Sequence, residues 1–137
     1  MKPLTILVIP DLHYASDPEH ACGCKERKTR FGKEFLRRVL LRHAEQSDVI
    51  VLLGDITDNV DATSAEADLI QVVRLVKESG LPALFVRGNH DIPSARFFDI
   101  AGTTRSMEKE GYLFFVFRDE WGENDRCTRS EEEWGAF

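Results

Sequence analysis

Short apolar runs alternate with longer amphipathic stretches along this chain, and that alternation predicts a layered α/β fold. Leu4 to Ile9 is apolar, rich in branched residues and stopped by Pro10, the pattern of a buried strand. From about Gly32 to Gln46, Phe35, Leu36, Val39, Leu40 and Ala44 recur at helical spacing with charged residues between them, which predicts an amphipathic crossover helix. Val49 to Leu53 follows as a second strand. Thr63 with Glu66 predicts a capping box for a second helix, which carries Leu69, Val72, Val73 and Val76 and ends at Gly80. Ala83 to Arg87 is the third strand, and a β-α-β-α-β order requires parallel strands joined by right-handed crossovers. Beyond it, Pro93 to Ile100 reads as a short helix or turn. Tyr112 to Phe117 reads as a fourth strand with Phe114, Phe115 and Phe117 as core candidates, and Ser130 with Glu133 as the start of a last helix. Residues 14 to 30 have no apolar period and read as a long loop, of the length that is usually functional or mobile.

The three strands share an ending. Each leads into residues that bind cations: Asp11-Leu12-His13, then Gly54-Asp55-Ile56-Thr57-Asp58, then Gly88-Asn89-His90-Asp91. Ligands of open α/β sheets bind outside the carboxyl ends of the strands, so three such endings point at one place. Asp11 offers a hard oxygen, His13 an imidazole nitrogen, Asp55 a carboxylate able to bridge two ions, and Asn89 a carbonyl oxygen. This mixture suits two divalent ions of Mn, Fe or Zn rather than an all-oxygen Ca site. Two cations about 3.5 to 4 Å apart would clamp a phosphoryl group and acidify a bound water. His90, beside a ligand, is placed to protonate a leaving oxygen, with Asp58 the candidate to orient it. Taken singly, Asp11, Asp55 and Asn89 are better read as ordinary turn chemistry, since Asp and Asn are common in loops after strands. Turn chemistry does not require His13 and His90 at the same strand ends, so the joint pattern favours metal binding.

These stretches resemble the motifs of the calcineurin-like metallophosphoesterase family, Asp-x-His, Gly-Asp-x-x-Asp and Gly-Asn-His-Asp/Glu, and the resemblance spans about residues 4 to 117. It implies a phosphate-ester hydrolase in which Asp11, His13 and Asp55 hold one metal, Asp55 and Asn89 the other, and Asp58 steadies His90. Asn59-Val60 after the second motif and Asp91 after the third resemble the phosphodiesterase or small-substrate branch more than the protein phosphatases. The family also has later histidines, including a Gly-His-x-His motif, and a second facing sheet. No histidine follows His90 here, so the resemblance implies only the first half of the four-layer sandwich. The expectation is an incomplete domain, with an apolar sheet face covered by a complementing chain or a second copy in a homo-oligomer.

Composition narrows the classes further. With 137 residues, 42% hydrophobic and 31% charged, the chain suits a single domain over 1–137 with a real core. The 18 Lys and Arg against 24 Asp and Glu leave a net charge of -6, which argues against bulk nucleic-acid binding. The first apolar run is too short for a signal peptide or a membrane span, and the reading is cytoplasmic. Lys25, Arg27, Lys28 and Arg30 could face a phosphate, although a solvated charge run is the simpler reading. His20 and His43 read as surface residues, Cys22-Gly23-Cys24 as plain loop, and Trp121 and Trp134 as packing. A receiver-type domain shares acidic strand ends but explains neither His13 nor Asn89-His90. The remaining rival is a non-catalytic module that binds metal weakly and works through its exposed sheet.

Overall fold

Three parallel strands carry the fold: β1 (Ile6–Pro10), β2 (Val49–Leu53) and β3 (Ala83–Val86), in the order β1-β2-β3. The structure is a computed structural model, and it describes residues 2–17, 19, 25–58, 63–102 and 105–136. Leu7 pairs with Ile50 and Ile9 with Leu52 in β2, and Leu52 pairs with Phe85 in β3. Period-two alternation puts these residues on one face of the sheet. There they join a single core with Leu36 and Leu40 of α1 (Gly32–His43), Leu69, Val72, Val73 and Val76 of α2 (Ala65–Lys77), and Phe97 and Phe98 of α3 (Ser94–Ala101). Each fully buried Leu or Val contributes about 1.5 to 3 kcal/mol, so the crossover helices are held mainly by this face. α2 lies between α1 and α3 and packs against both.

The opposite face is only partly covered. Val49 and Leu84 are buried, whereas Ile6, Val8 and Leu53 are 41%, 50% and 52% exposed.

The rest of the chain departs in places from the periodic reading. Phe35 points outward at 57% exposure because the buried stripe of α1 runs through Leu36 and Leu40. The expected capping box does not form: α2 begins at Ala65, and Ser64 at its N-cap makes no side-chain cap bond. Glu66 instead reaches across to Arg96 of α3 at 2.9 and 3.0 Å. The predicted fourth strand is not part of the parallel sheet. β4 (Ser106–Lys109) pairs antiparallel with β5 (Tyr112–Phe115). Glu110 and Gly111 both have positive φ at the turn, the combination that matches the twist of a two-residue hairpin. Val116 is buried, while Phe114, Phe115 and Phe117 are only half-buried, since a two-stranded hairpin has no second face to cover them.

A second hairpin, β6 (Glu120–Trp121) with β7 (Cys127–Thr128), precedes α4 (Glu131–Gly135). Ser130 caps α4 as expected, its hydroxyl accepting from the Glu133 amide at 3.2 Å. Buried Glu133 ties this end down through Arg105 at 2.7 Å and the Arg118 amide at 3.0 Å. No helix among the described residues is long and apolar enough to cross a membrane.

Candidate metal centre

Beyond the strands, the first two motifs remain laced together. Asp11 donates its amide to the Gly54 carbonyl at 3.3 Å, His13 to that of Asp55 at 2.8 Å, and Tyr14 to that of Ile56 at 2.9 Å. The backbone that carries them is unusual. Asp11, His13 and Asp55 have φ of 50°, 44° and 47°, a left-handed region that costs a non-glycine residue of order 1 to 3 kcal/mol. Three such residues at adjacent strand ends mark a place where position has been kept at the expense of backbone energy. The third motif approaches closely: a Cβ on Gly88 would collide with the side chain and amide of Asp55, so only glycine lets the two loops meet.

The donor atoms converge. His13 Nε2 lies 3.8 Å from Asp11 Oδ1 and 3.6 Å from Asp55 Oδ2. Atoms that share one ion at about 2.1 Å each are spaced about 3 to 4 Å apart, so each carboxylate lies within the range of a cation shared with His13. His13, Asp55 and His90 each offer a ligand atom within 4.8 Å of the others. The other nitrogen of His13, Nδ1, is 2.7 Å from Oδ1 of Asp58, whose side chain is only 1% exposed. If Nδ1–H donates to that carboxylate, Nε2 keeps its lone pair for a cation, the carboxylate–histidine–metal arrangement.

Asp58 therefore grips His13 more closely than His90. Its carboxylate is 3.9 Å from His90 Nδ1, which lies 3.3 Å from the Asp58 backbone carbonyl instead. His90 is also held by its amide, which donates to Asp55 Oδ1 at 3.1 Å, and by an edge-on ring contact with His13 at 4.9 Å. Asn89 directs its amide nitrogen to Asp125 Oδ1 at 2.7 Å. Thus Asp11, His13, Asp55, Asp58 and His90 are joined by direct contacts, and the described partner of the Asn89 side chain comes from the tail.

Two residues enter the site in roles that the sequence did not give them. Arg27, in a 3-10 turn at Lys25–Arg27, donates to Asp58 Oδ1 at 2.8 Å and sits 3.2 Å from His13 Nδ1. Only its place in a basic stretch hinted at this. Arg30 lies over the Phe31 ring and Lys28 is exposed. Asp91, named in the third motif but given no role, is fully buried. Its Oδ1 accepts from the Thr57 amide at 2.8 Å and hydroxyl at 3.0 Å, and its Oδ2 from the Gly88 amide at 2.9 Å. Burial pushes this carboxyl above its ordinary range, against the pull of those donors. The His20 and Cys22-Gly23-Cys24 expectations lie outside the described residues, His43 is exposed at the end of α1, and Trp121 packs, donating to the Arg87 carbonyl at 3.4 Å.

Residues 4–132 match the calcineurin-like phosphoesterase family, with all three motifs inside the matched span. The chain belongs to this family. It is 26% identical over 92 residues to the DNA double-strand break repair protein Mre11 of Aeropyrum pernix, a match covering 66% of this chain and 22% of that protein. A solved dimetal phosphatase from Danio rerio superposes with a TM-score of 0.58 at 23% identity, over 70% of this chain and 33% of the other. The shared feature with that structure is the fold. The chain spans about a fifth of the Mre11 relative and about a third of the phosphatase.

Proposed function

We propose that this chain carries the phosphate-ester hydrolase half-site of its family, and that Asp11, His13, Asp55 and Asn89 hold two divalent cations of Mn, Fe or Zn. The observation that carries this reading is the approach of Asp11 and Asp55 to His13 Nε2, on backbone held in the left-handed region. When bound, the cations would neutralise phosphoryl oxygens and acidify water. The protein's own contributions are to hold and orient. Asp58, with Arg27 beside it, fixes the His13 ring, and His90 supplies a proton to the leaving oxygen. A small phosphodiester or phosphomonoester is the substrate class we favour. A net charge of -6 opposes the phosphate backbone of duplex DNA, whatever the Mre11 relative does with its own.

The test is hydrolysis of bis(p-nitrophenyl) phosphate with added Mn, alongside Mn binding by calorimetry. His90→Ala is expected to slow turnover by about 10² to 10⁴ while still binding the ions, the range for a lost general acid. Equal rates for His90→Ala and wild type reject its role. Asp58→Ala is expected to weaken Mn binding about 10- to 100-fold, because the His13 ring loses its orienting carboxylate. Unchanged binding there would assign Asp58 to packing.

A second reading has one observation in its favour, the exposed Ile6, Val8 and Leu53 face. On that reading the chain is a non-catalytic module that works with a complementing chain or a second copy across this face. Retention of one ion or fewer by the wild type, without turnover, selects it.

A further inference from the structure

The tail hairpin is seated on the third motif, and we propose that Asp125 is a positioning residue that selects which end of the Asn89 amide faces the metal centre. An asparagine side chain has two nearly isosteric ends, and only the carbonyl oxygen has lone pairs for a cation; the nitrogen only donates. The terminal torsion is soft and close to two-fold, so an unconstrained amide spends time with the wrong end inward. Asp125 Oδ1 stands 2.7 Å from Asn89 Nδ2. A carboxylate only accepts here, and a flipped amide would set oxygen against oxygen. The contact therefore holds the nitrogen toward Asp125 and leaves Oδ1 as the end with lone pairs for a cation.

The hairpin geometry makes this more than a surface encounter. Asp125 closes a 3-10 turn, Glu123–Asp125, in which Asn124 and Asp125 both have left-handed φ, 58° and 55°. Gly122 closes the turn by donating to the Arg126 carbonyl at 2.9 Å. The same hairpin is fixed two residues upstream of Asn89, where Trp121 Nε1 donates to the Arg87 carbonyl at 3.4 Å and Glu120 Oε2 stands 3.9 Å from the buried Arg87 guanidinium. A strained turn docked beside the motif delivers one carboxylate to one amide. The three motifs present in this chain end at Asp91, so this contribution comes from a part of the chain they do not cover.

The inference rests on Asn89 being a metal ligand, and the experiment separates the two. Mn binding to the full chain is measured by calorimetry for wild type, Asn89→Ala, Asp125→Gly and Asp125→Asn, with apo melting temperatures in parallel. Glycine removes the carboxylate without adding strain at positive φ, and asparagine keeps an oxygen that can accept the same bond. The expected result is that Asn89→Ala loses the weaker ion. Asp125→Gly binds that ion about 10- to 100-fold less tightly with the tighter ion and the apo melting temperature unchanged. Asp125→Asn stays within about threefold of wild type, as a rescue by the conservative variant. Wild-type affinity in Asp125→Gly, with the ion lost in Asn89→Ala, overturns the positioning role alone. Equal weakening in Asp125→Gly and Asp125→Asn overturns it in favour of direct ligation by Asp125. Unchanged binding in Asn89→Ala overturns the ligand assignment and this inference together.

Discussion

Asp55→Asn is expected to lower Mn-dependent phosphodiester hydrolysis about 10³-fold, equivalent to about 4 kcal/mol of lost transition-state stabilisation. The substitution is chosen for the backbone as much as for the charge. Asp55 sits at φ 47°, and asparagine is among the few residues that tolerate the left-handed region, so the variant adds little strain. What it removes is one negative charge at the proposed shared ligand and one of two acceptor oxygens. Oδ2 lies 3.6 Å from His13 Nε2, while Oδ1 already accepts the His90 amide at 3.1 Å. An amide can satisfy one of those demands but not both, because one of its two ends is a donor. Calorimetry should show both ions weakened, in contrast with the single ion expected to suffer in Asn89→Ala. Turnover within about tenfold of wild type would mean that Asp55 is not the shared ligand, and the binuclear assignment would fall with it.

The parallel sheet was legible because its cause is local and repeated. Branched apolar runs of strand length, separated by stripes at helical spacing, leave few alternatives to β-α-β-α-β, and β1, β2 and β3 match their expected ranges to within a residue or two. The candidate site was legible to the extent that Asp11, His13, Asp55, Asp58 and His90, which meet in the structure, each follow a strand end. The angular details were not. Phe35 and Leu36 are both apolar and adjacent, yet only Leu36 is buried, since the core-facing arc of α1 depends on how the helix sits on the sheet. The hairpin at Glu110 and Gly111 was missed because Ser106–Lys109 has no apolar alternation to announce a strand. Contacts made across long separations left no pattern at all. Arg27 meets Asp58 31 residues away, and Asn89 meets Asp125 36 residues away. Nothing in either neighbourhood of sequence distinguishes Arg27 from Lys28, or Asp125 from other acids of the tail.

Asp91→Ala is expected to destabilise the fold by about 3 to 5 kcal/mol and to lower the melting temperature by about 10 to 20 °C, although Asp91 has no part in the proposed chemistry. Its carboxylate is the shared acceptor between two loops that have no strand ladder between them. Thr57 brings two donors from the loop after β2, Ile56 adds a backbone amide from the same loop, and Gly88 brings one from the loop after β3. Removing the acceptor leaves these buried N–H and O–H groups without a partner, each costing about 1 to 3 kcal/mol less whatever water can recover. Exposed Asp99 on α3 serves as the control, and its replacement by alanine should change stability by no more than about 0.5 kcal/mol. Thermal and urea melts of the two variants check the difference. If Asp91→Ala melts with Asp99→Ala, the loops are held by something else. If it melts early, Asp91 holds the loop that presents Asn89 and His90 at the distance Gly88 permits.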